Sequence, residues 1–405
     1  MGRQLGIVNS KKHLRAWHNN PHHKICYSQI MKIYYEDSMP YAAEFFEELG
    51  ECQVFSHKTV NPEMLADADV LLVRSTTKVN ADLLCKNSRL KFVATATAGT
   101  DHVDQNYLES RGIPFVSAGG CNAVAVAEYV LSAMVVTANK HNWSLQHKTV
   151  GIIGAGHVGT ALSERLSVLG IKYKLCDPPL DDAGDPRDFV PMDDIMQCDV
   201  ITLHVPWIKA GKYQTQGMFD KPRLMQLSEQ QLLINACRGE VLDNQAALEL
   251  FEQGKKLNLV LDVWDNEPDI QLQLIPYITL ATAHIAGHTI EGKARGTEML
   301  YVALSELLGK QAHKTLSDYL PKPNVGPFEV DAEQSFVKVA SQLILNVYDI
   351  AKDDQVFKKQ ALGPEQFRYI RKHYPIRREF SAIAVNTGNF VDSKAIYALG
   401  FLAAK

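Results

Sequence analysis

The chain has 405 residues, too many for one ordinary domain, and its composition, 46% hydrophobic and 22% charged, supports sizeable cores. A formal charge of −4 at pH 7 gives no bulk basic character, which argues against nucleic acid or an acidic membrane surface as partner. Seven scattered cysteines without a C-x-x-C pair argue against a disulfide framework or a thiolate metal site and point to a reducing, cytoplasmic compartment.

Residues 1–30 carry Lys11, Lys12, Arg15, His22 and His23 but no apolar core. They read as a loose extension rather than a secretion signal, and the His22–His23 pair as part of a solvated tail. No uninterrupted apolar run reaches the roughly 18 residues of a membrane span.

From Met31 short apolar runs alternate with helix-like segments. KIYYED precedes the amphipathic YAAEFFEELG, and ADVLLVRS, LKFVATATAG and IPFVSAGG follow at strand length. This alternation predicts a parallel sheet covered on both faces. Asn122 caps a long apolar stretch, AVAVAEYVLSAMVVTANK, suited to a buried helix. A second alternating series runs through TVGIIGAG, IKYKLCD, DVITLHVP, QLLINACR, NLVLDVW and ITLATAHIAG, the last three so apolar that they read as central strands. Residues 292–308 read as a helix. Pro321, Pro323 and Pro327 mark a linker, followed by an apolar helix pattern over 334–350, a strand in FSAIAV and a helix in SKAIYALG.

Gly154, Gly156 and Gly159, with His157 and Val158 between them, form G-x-G-x-x-G directly between a predicted strand and a predicted helix. Such glycines permit a tight turn, close approach to a pyrophosphate and close helix–strand packing. Asp177 closes the next strand, where a carboxylate accepts hydrogen bonds from a ribose and repels a 2′-phosphate, so NAD is the expected cofactor; the plain alternative is a strand-end turn.

Arg238, Glu267 and His284 each stand at or beside the end of a strand-like run. Oxidation of a 2-hydroxy acid needs a base for the hydroxyl proton and a cation for the carboxylate. His284 is the candidate base, Glu267 the carboxylate that orients it, and Arg238 the fork that binds the substrate carboxylate. Singly, each also reads as a core histidine, a surface charge and a structural ion pair; their order beside a nucleotide fold favours chemistry. No metal-ligand spacing, nucleophile elbow or P-loop lysine is present.

NAVAVAEY, GIIGAGHVG, INACRGEVLD, LDVWDNEP and HIAG, in this order, resemble the motifs of the D-isomer-specific 2-hydroxyacid dehydrogenases from about Met31 to Gly309. The resemblance is strongest to a branch that acts on a phosphorylated substrate and carries an extra C-terminal unit, through VRSTTKVN, TATAGTDHVD and HIAGHTIEGKARGT. It implies an α/β fold of two doubly wound parallel-sheet lobes, plus a small α+β C-terminal domain. The substrate lobe (31–121 and 288–310) would be flavodoxin-like, and residues 122–287 would form the Rossmann NAD lobe. A linker (311–327) and a dimerisation domain (328–405) would follow. Arg238, Glu267 and His284 match the family's catalytic residues, and Ser75 and Thr97 its substrate contacts. Asp177, the backbone of Ala236, Cys237 and Arg238, Asp262 and Gly287 match its NAD contacts. His288 stands where a tyrosine is usual, Val205 where a threonine is common, and Glu240 at a usually small position, where it is expected to be exposed. Arg74 is the candidate for a substrate phosphate. The cluster Arg368, Arg371, Lys372, Arg377 and Arg378 reads first as a solvated face. Other dehydrogenases of the class, such as one for phosphoglycerate, and an NAD-sensing binding protein are the alternatives.

Overall fold

The structure, a computed structural model, describes residues 30–323 and 325–404; the expected N-terminal extension, apart from its last residue, and His22–His23 lie outside the described residues. The chain divides into two units, one containing the described residues through Asn122 with Ile290–Pro321, the other Ala123–Thr289 with Lys322 onward.

The first unit is built on five parallel strands: β1 (Lys32–Glu36), β2 (Glu51–Phe55), β3 (Val70–Val73), β4 (Phe92–Thr95) and β5 (Phe115–Ser117), in the order β2-β1-β3-β4-β5. This is the flavodoxin-like order, whose strand direction of travel reverses between β1 and β3. β3 and β4 are buried along their whole length, as all-apolar parallel strands must be. β2, ECQVF, is an edge strand with only Phe55 buried, so its polar residues hide it from an apolar-run criterion. The helix read from YAAEFFEELG is confined to Ala42–Phe46. The helix Ile290–Leu307 packs on this sheet, and Gly296 is essential to that approach: a Cβ there would lie 2.5 Å from the Ala96 carbonyl oxygen.

The second unit carries six parallel strands: β6 (Thr149–Ile153), β7 (Lys172–Cys176), β8 (Val200–Leu203), β9 (Leu232–Asn235), β10 (Asn258–Leu261) and β11 (Leu280–Ala281). Their order is β11-β10-β9-β8-β6-β7, and an isolated parallel bridge, Leu175 to Phe189, extends the sheet beyond β7. This is a Rossmann sheet whose direction reverses between β6 and β8. ITLATAHIAG is its edge strand rather than a central one. It is apolar because a C-terminal helix, Ile350–Gln360, covers it, and Asp354 on that helix accepts the Ala281 N–H at 2.8 Å.

Residues 328–404 add a three-stranded parallel sheet, β12 (Phe328–Glu329), β13 (Ala384–Asn386) and β14 (Leu402–Ala403), with helices around it. This segment shares its core with the Rossmann unit: Val339, Leu343, Ile344 and Phe380 cluster with Tyr129, Val130 and Met134. Those last three lie on the helix Ala123–His141, which is long and apolar enough to cross a membrane but is mostly buried within the protein. Glu128 interrupts its apolar run and receives the Phe380 N–H on both carboxylate oxygens.

Candidate active site

In the Rossmann unit the glycine loop closes on the loop after β8. Gly154 has φ +91°, and a Cβ there would lie 2.5 Å from the His204 carbonyl oxygen and 3.1 Å from Val205. At Gly159 a Cβ would meet the Gly154 carbonyl at 2.2 Å, so this glycine lets the helix His157–Val168 begin directly against the strand. Gly156 differs: a Cβ there meets nothing within 4 Å, and His157 beside it is exposed. Two glycines are thus dictated by the protein's own packing, while the third leaves open space at a helix N-terminus, which is the form a pyrophosphate cradle takes. The residues present fit a dinucleotide.

Asp177 performs two tasks already. Its Oδ2 accepts the Ala155 N–H at 2.8 Å, tying the glycine loop to β7, and its Oδ1 accepts from Leu180, capping the helix Pro178–Asp182. A carboxylate has further lone pairs for ribose hydroxyls, so the cap and the cofactor contact are compatible. Arg187 secures the same loop from the other side, donating to the Ala155 carbonyl at 2.8 Å and to Thr160 Oγ1 at 3.0 Å.

The catalytic candidates converge at the ends of β9, β10 and β11. Asn235, the last residue of β9, accepts the Cys237 N–H at 3.2 Å and donates to the Arg238 carbonyl at 2.9 Å, folding Ala236–Arg238 into a tight loop. Gly239 lets that loop press onto the next one: a Cβ there would sit 1.8 Å from the Trp264 carbonyl oxygen. Burial pushes the Cys237 thiol up to about 11, so at neutral pH it is a thiol and not a nucleophile. Arg238 is half-buried and donates to the Cys237 carbonyl at 2.7 Å.

Glu267 is held at both oxygens. Oε1 accepts the Trp264 N–H at 2.9 Å, and Oε2 lies 2.7 Å from His284 Nδ1. Burial works against its charge, but the His284 imidazole, Arg371 and the Trp264 N–H together hold its pKa below the ordinary carboxylate value. His284 has φ +55°, a left-handed conformation that costs a non-glycine residue about 1–2 kcal/mol. The surrounding backbone enforces it. The His284 N–H donates to the Asp262 carbonyl at 2.6 Å, and the buried Asp262 carboxylate accepts from Thr282 Oγ1, Ile285 N–H and Ala286 N–H at 2.7, 2.7 and 2.9 Å. With Nδ1 committed to Glu267 and the side chain 30% exposed, Nε2 is the nitrogen left for a reacting proton.

Gly287 and His288 follow half-buried on the same turn; the His288 ring lies edge-on to Tyr374, centroids 6.2 Å apart. Glu240, expected to be exposed, is half-buried, and burial, then Asp265 and Glu267, raise its pKa. The C-terminal arginines are not one solvated face either: Arg377 is 5% exposed and donates to the Ala125 and Ala286 carbonyls at 2.6 and 2.8 Å.

The first unit carries the substrate candidates. Arg74, Ser75, Thr76 and Thr77 follow β3, and Glu36 ends β1 beside them. The buried Glu36 carboxylate accepts from Thr76 Oγ1 at 2.6 Å, Thr77 Oγ1 at 2.7 Å and the Arg74 N–H at 2.9 Å, leaving Ser75 exposed at the crest. These bonds, with one from Ser38, outweigh burial and lower the Glu36 pKa. Arg74 also donates to the Ser38 carbonyl at 2.9 Å. Thr97 donates to the Gly99 carbonyl at 2.9 Å and lies 2.8 Å from Thr95 Oγ1, which in turn lies 2.9 Å from His102 Nε2. Neither Glu36 nor His102 was singled out from the sequence. Glu36 closes an apolar strand just as Asp177 does, and that pattern could have found it.

A glycine-loop cradle on a Rossmann sheet, an arginine on one strand-end loop and a carboxylate–histidine pair on the next two can hold a dinucleotide, bind a carboxylate and accept a proton. Residues 126–288 match the family described as D-isomer specific 2-hydroxyacid dehydrogenase, NAD binding domain, and residues 319–400 match a domain of unknown function (DUF3410). The chain is 66% identical over 371 residues to an erythronate-4-phosphate dehydrogenase of Pseudoalteromonas atlantica, covering 92% of this chain and 99% of the relative. To one of Colwellia psychrerythraea it is 46% identical over 392 residues, with the same coverage. Solved structures share the fold at lower identity. An NAD-bound 3-phosphoglycerate dehydrogenase of Entamoeba histolytica has TM-score 0.58 and 24% identity, covering 69% of this chain and 94% of its own. A D-lactate dehydrogenase of Aquifex aeolicus has TM-score 0.54 and 24% identity, covering 68% and 96%. The chain belongs to the erythronate-4-phosphate dehydrogenase family, within the D-isomer-specific 2-hydroxyacid dehydrogenases.

Proposed function

We propose that this protein oxidises the C2 hydroxyl of 4-phospho-D-erythronate to (R)-3-hydroxy-2-oxo-4-phosphooxybutanoate, with NAD, in pyridoxal 5′-phosphate biosynthesis. The observation that carries the reaction type is the 2.7 Å pair of His284 Nδ1 and Glu267 Oε2 at the strand ends beside the Arg238 loop. The substrate comes from the relatives, at up to 66% identity over nearly their full length.

NAD, when bound, supplies the hydride acceptor. Gly154, Gly156, His157, Val158 and Gly159 would hold its phosphates and Asp177 its ribose. Val205, Ala236, Cys237, Arg238, Asp262, Gly287 and His288 complete the proposed contact set; Asp262, whose carboxylate is engaged internally, also serves as the post that holds Ile285 and Ala286.

At the substrate, Arg238 binds the C1 carboxylate and polarises the forming carbonyl. His284 Nε2 takes the hydroxyl proton as the C2–H electron pair leaves as hydride. Glu267, ionised, fixes Nδ1 as the protonated nitrogen and stabilises the imidazolium that results. Ser75 and Thr97 position the substrate, and Arg74 takes its phosphate. Exposed apolar residues on the C-terminal segment, Leu362, Tyr369 and Ile376, at 71%, 60% and 74% exposure, support the reading of residues 328–405 as the face of a homodimer. The six described cysteines are all free, which supports a cytoplasmic setting.

The test is a steady-state comparison of 4-phospho-D-erythronate, 3-phosphoglycerate and D-lactate with NAD. Preference for the first by kcat/KM is expected; equal or better turnover of either alternative refutes the substrate, and NADH binding without turnover of any refutes the enzyme.

A further inference from the structure

The helix Ile350–Gln360 reaches both strand-end loops that deliver the catalytic pair. Toward Glu267, Phe357 is 1% exposed and stacks on Trp264, centroids 5.4 Å apart and planes at 21°. Trp264 is the residue whose N–H holds Glu267 Oε1, and its indole N–H donates to the Thr282 carbonyl at 2.9 Å, two residues before His284. Toward His284, Asp354 accepts the N–H of Ala281, three residues before it, at 2.8 Å on the open edge of the sheet. Lys358 in turn pairs with Asp354 at 2.9 Å. Behind Phe357 stands Phe367 of the helix Pro364–Lys372, edge-on at 6.0 Å. The same helix carries Arg371, whose charge is felt at Glu267.

We propose that the C-terminal segment, besides its proposed part in a homodimer, is a brace for the catalytic pair, with Phe357 and Asp354 as positioning residues acting through Trp264 and Ala281 on Glu267 and His284. The physical argument is one of tolerance. β11 is two residues long and pairs on one side only, so Asp262 and β10 hold His284 from the inner side while the outer flank depends on Asp354. His284 is also held in a left-handed conformation that relaxes unless its flanks are pinned. A shift of about 1 Å in a reacting group costs up to about a hundredfold in rate. An edge-strand N–H captured by a carboxylate, and an indole clamped by a phenyl ring, are the restraints that hold this tolerance.

The proposal rests on the reading of Glu267 and His284 as the catalytic pair, and its test carries a readout independent of substrate. Full-length Asp354→Ala, Asp354→Asn and Phe357→Leu are compared with wild type for kcat, NADH affinity, melting temperature and the NMR titration of the His284 imidazole. Asp354→Ala and Phe357→Leu are expected to lower kcat about ten- to a hundredfold, with NADH affinity within about twofold. Both are expected to displace the His284 titration. Asp354→Asn, whose amide oxygen still accepts the Ala281 N–H, recovers most of both. An unmoved His284 titration with only a lowered melting temperature overturns the brace, as does loss of NADH binding in step with kcat. If wild type proves inactive on 4-phospho-D-erythronate, the substrate assignment falls and the titration still decides the brace.

Discussion

His284 Nδ1 and Glu267 Oε2 lie 2.7 Å apart, although they stand 17 positions apart in the chain with the β11 edge strand between them. With His284 as the proposed base, removing its imidazole removes the proton acceptor without touching the glycine loop. His284→Ala is therefore expected to lower kcat by about 10²–10⁴-fold while NADH binding is retained, as read by stopped-flow turnover and NADH fluorescence. Near-normal activity at neutral pH would show that another group takes the proton.

Arg238→Lys keeps the charge and loses the planar fork. The substrate carboxylate is then bound at one point rather than two, so KM for the hydroxy acid rises and kcat falls, together about ten- to a hundredfold in kcat/KM. KM for NAD should change little, because the proposed cofactor contact of Ala236–Arg238 is made by the backbone. A variant with unchanged kcat/KM would remove Arg238 from the substrate site.

The glycines separate fold from function. Gly156→Ala adds a methyl that meets no protein atom within 4 Å at φ −69°, so its melting temperature should stay within about 2 °C of wild type while the KM for NAD rises at least about tenfold. Gly239→Ala drives a methyl against the Trp264 carbonyl and should destabilise by at least about 2 kcal/mol as well as impair turnover. If Gly156→Ala left NAD binding unchanged, the cradle would be misplaced.

Burial, then the nearby Glu379, push the Glu128 carboxyl up to about 8, against the pull of Arg165. The folded state therefore binds this proton more tightly than the unfolded chain. The associated stability is fully present below the unfolded carboxylate pKa and is lost as pH rises toward about 8. Denaturant titrations from pH 5 to pH 9 should show this decline in wild type and a flatter profile in Glu128→Gln. A wild-type profile that rises with pH would reverse the sign.

Much of this site is written locally. The glycine spacing, the acid closing β7 and the polar residues ending apolar runs are readable because a parallel sheet places strand ends on one rim. What the sequence hides is set by tertiary contact. The backbone conformation of His284 follows from Asp262 gripping Ile285 and Ala286. The apolar run ending in His284 looks like a central strand because a helix some 70 residues downstream covers its edge. Arg377 looks like one of several surface cations, yet it is buried on backbone carbonyls of Ala125 and Ala286, and only the folded chain shows this.

The proposed reaction removes the C2 hydride of 4-phospho-D-erythronate and delivers it to NAD. Substrate carrying deuterium at C2 follows this transfer: the label is expected in the NADH formed, one deuterium per turnover, with none released to water. NADH formed without the label, or no NADH at all, rules this transfer out.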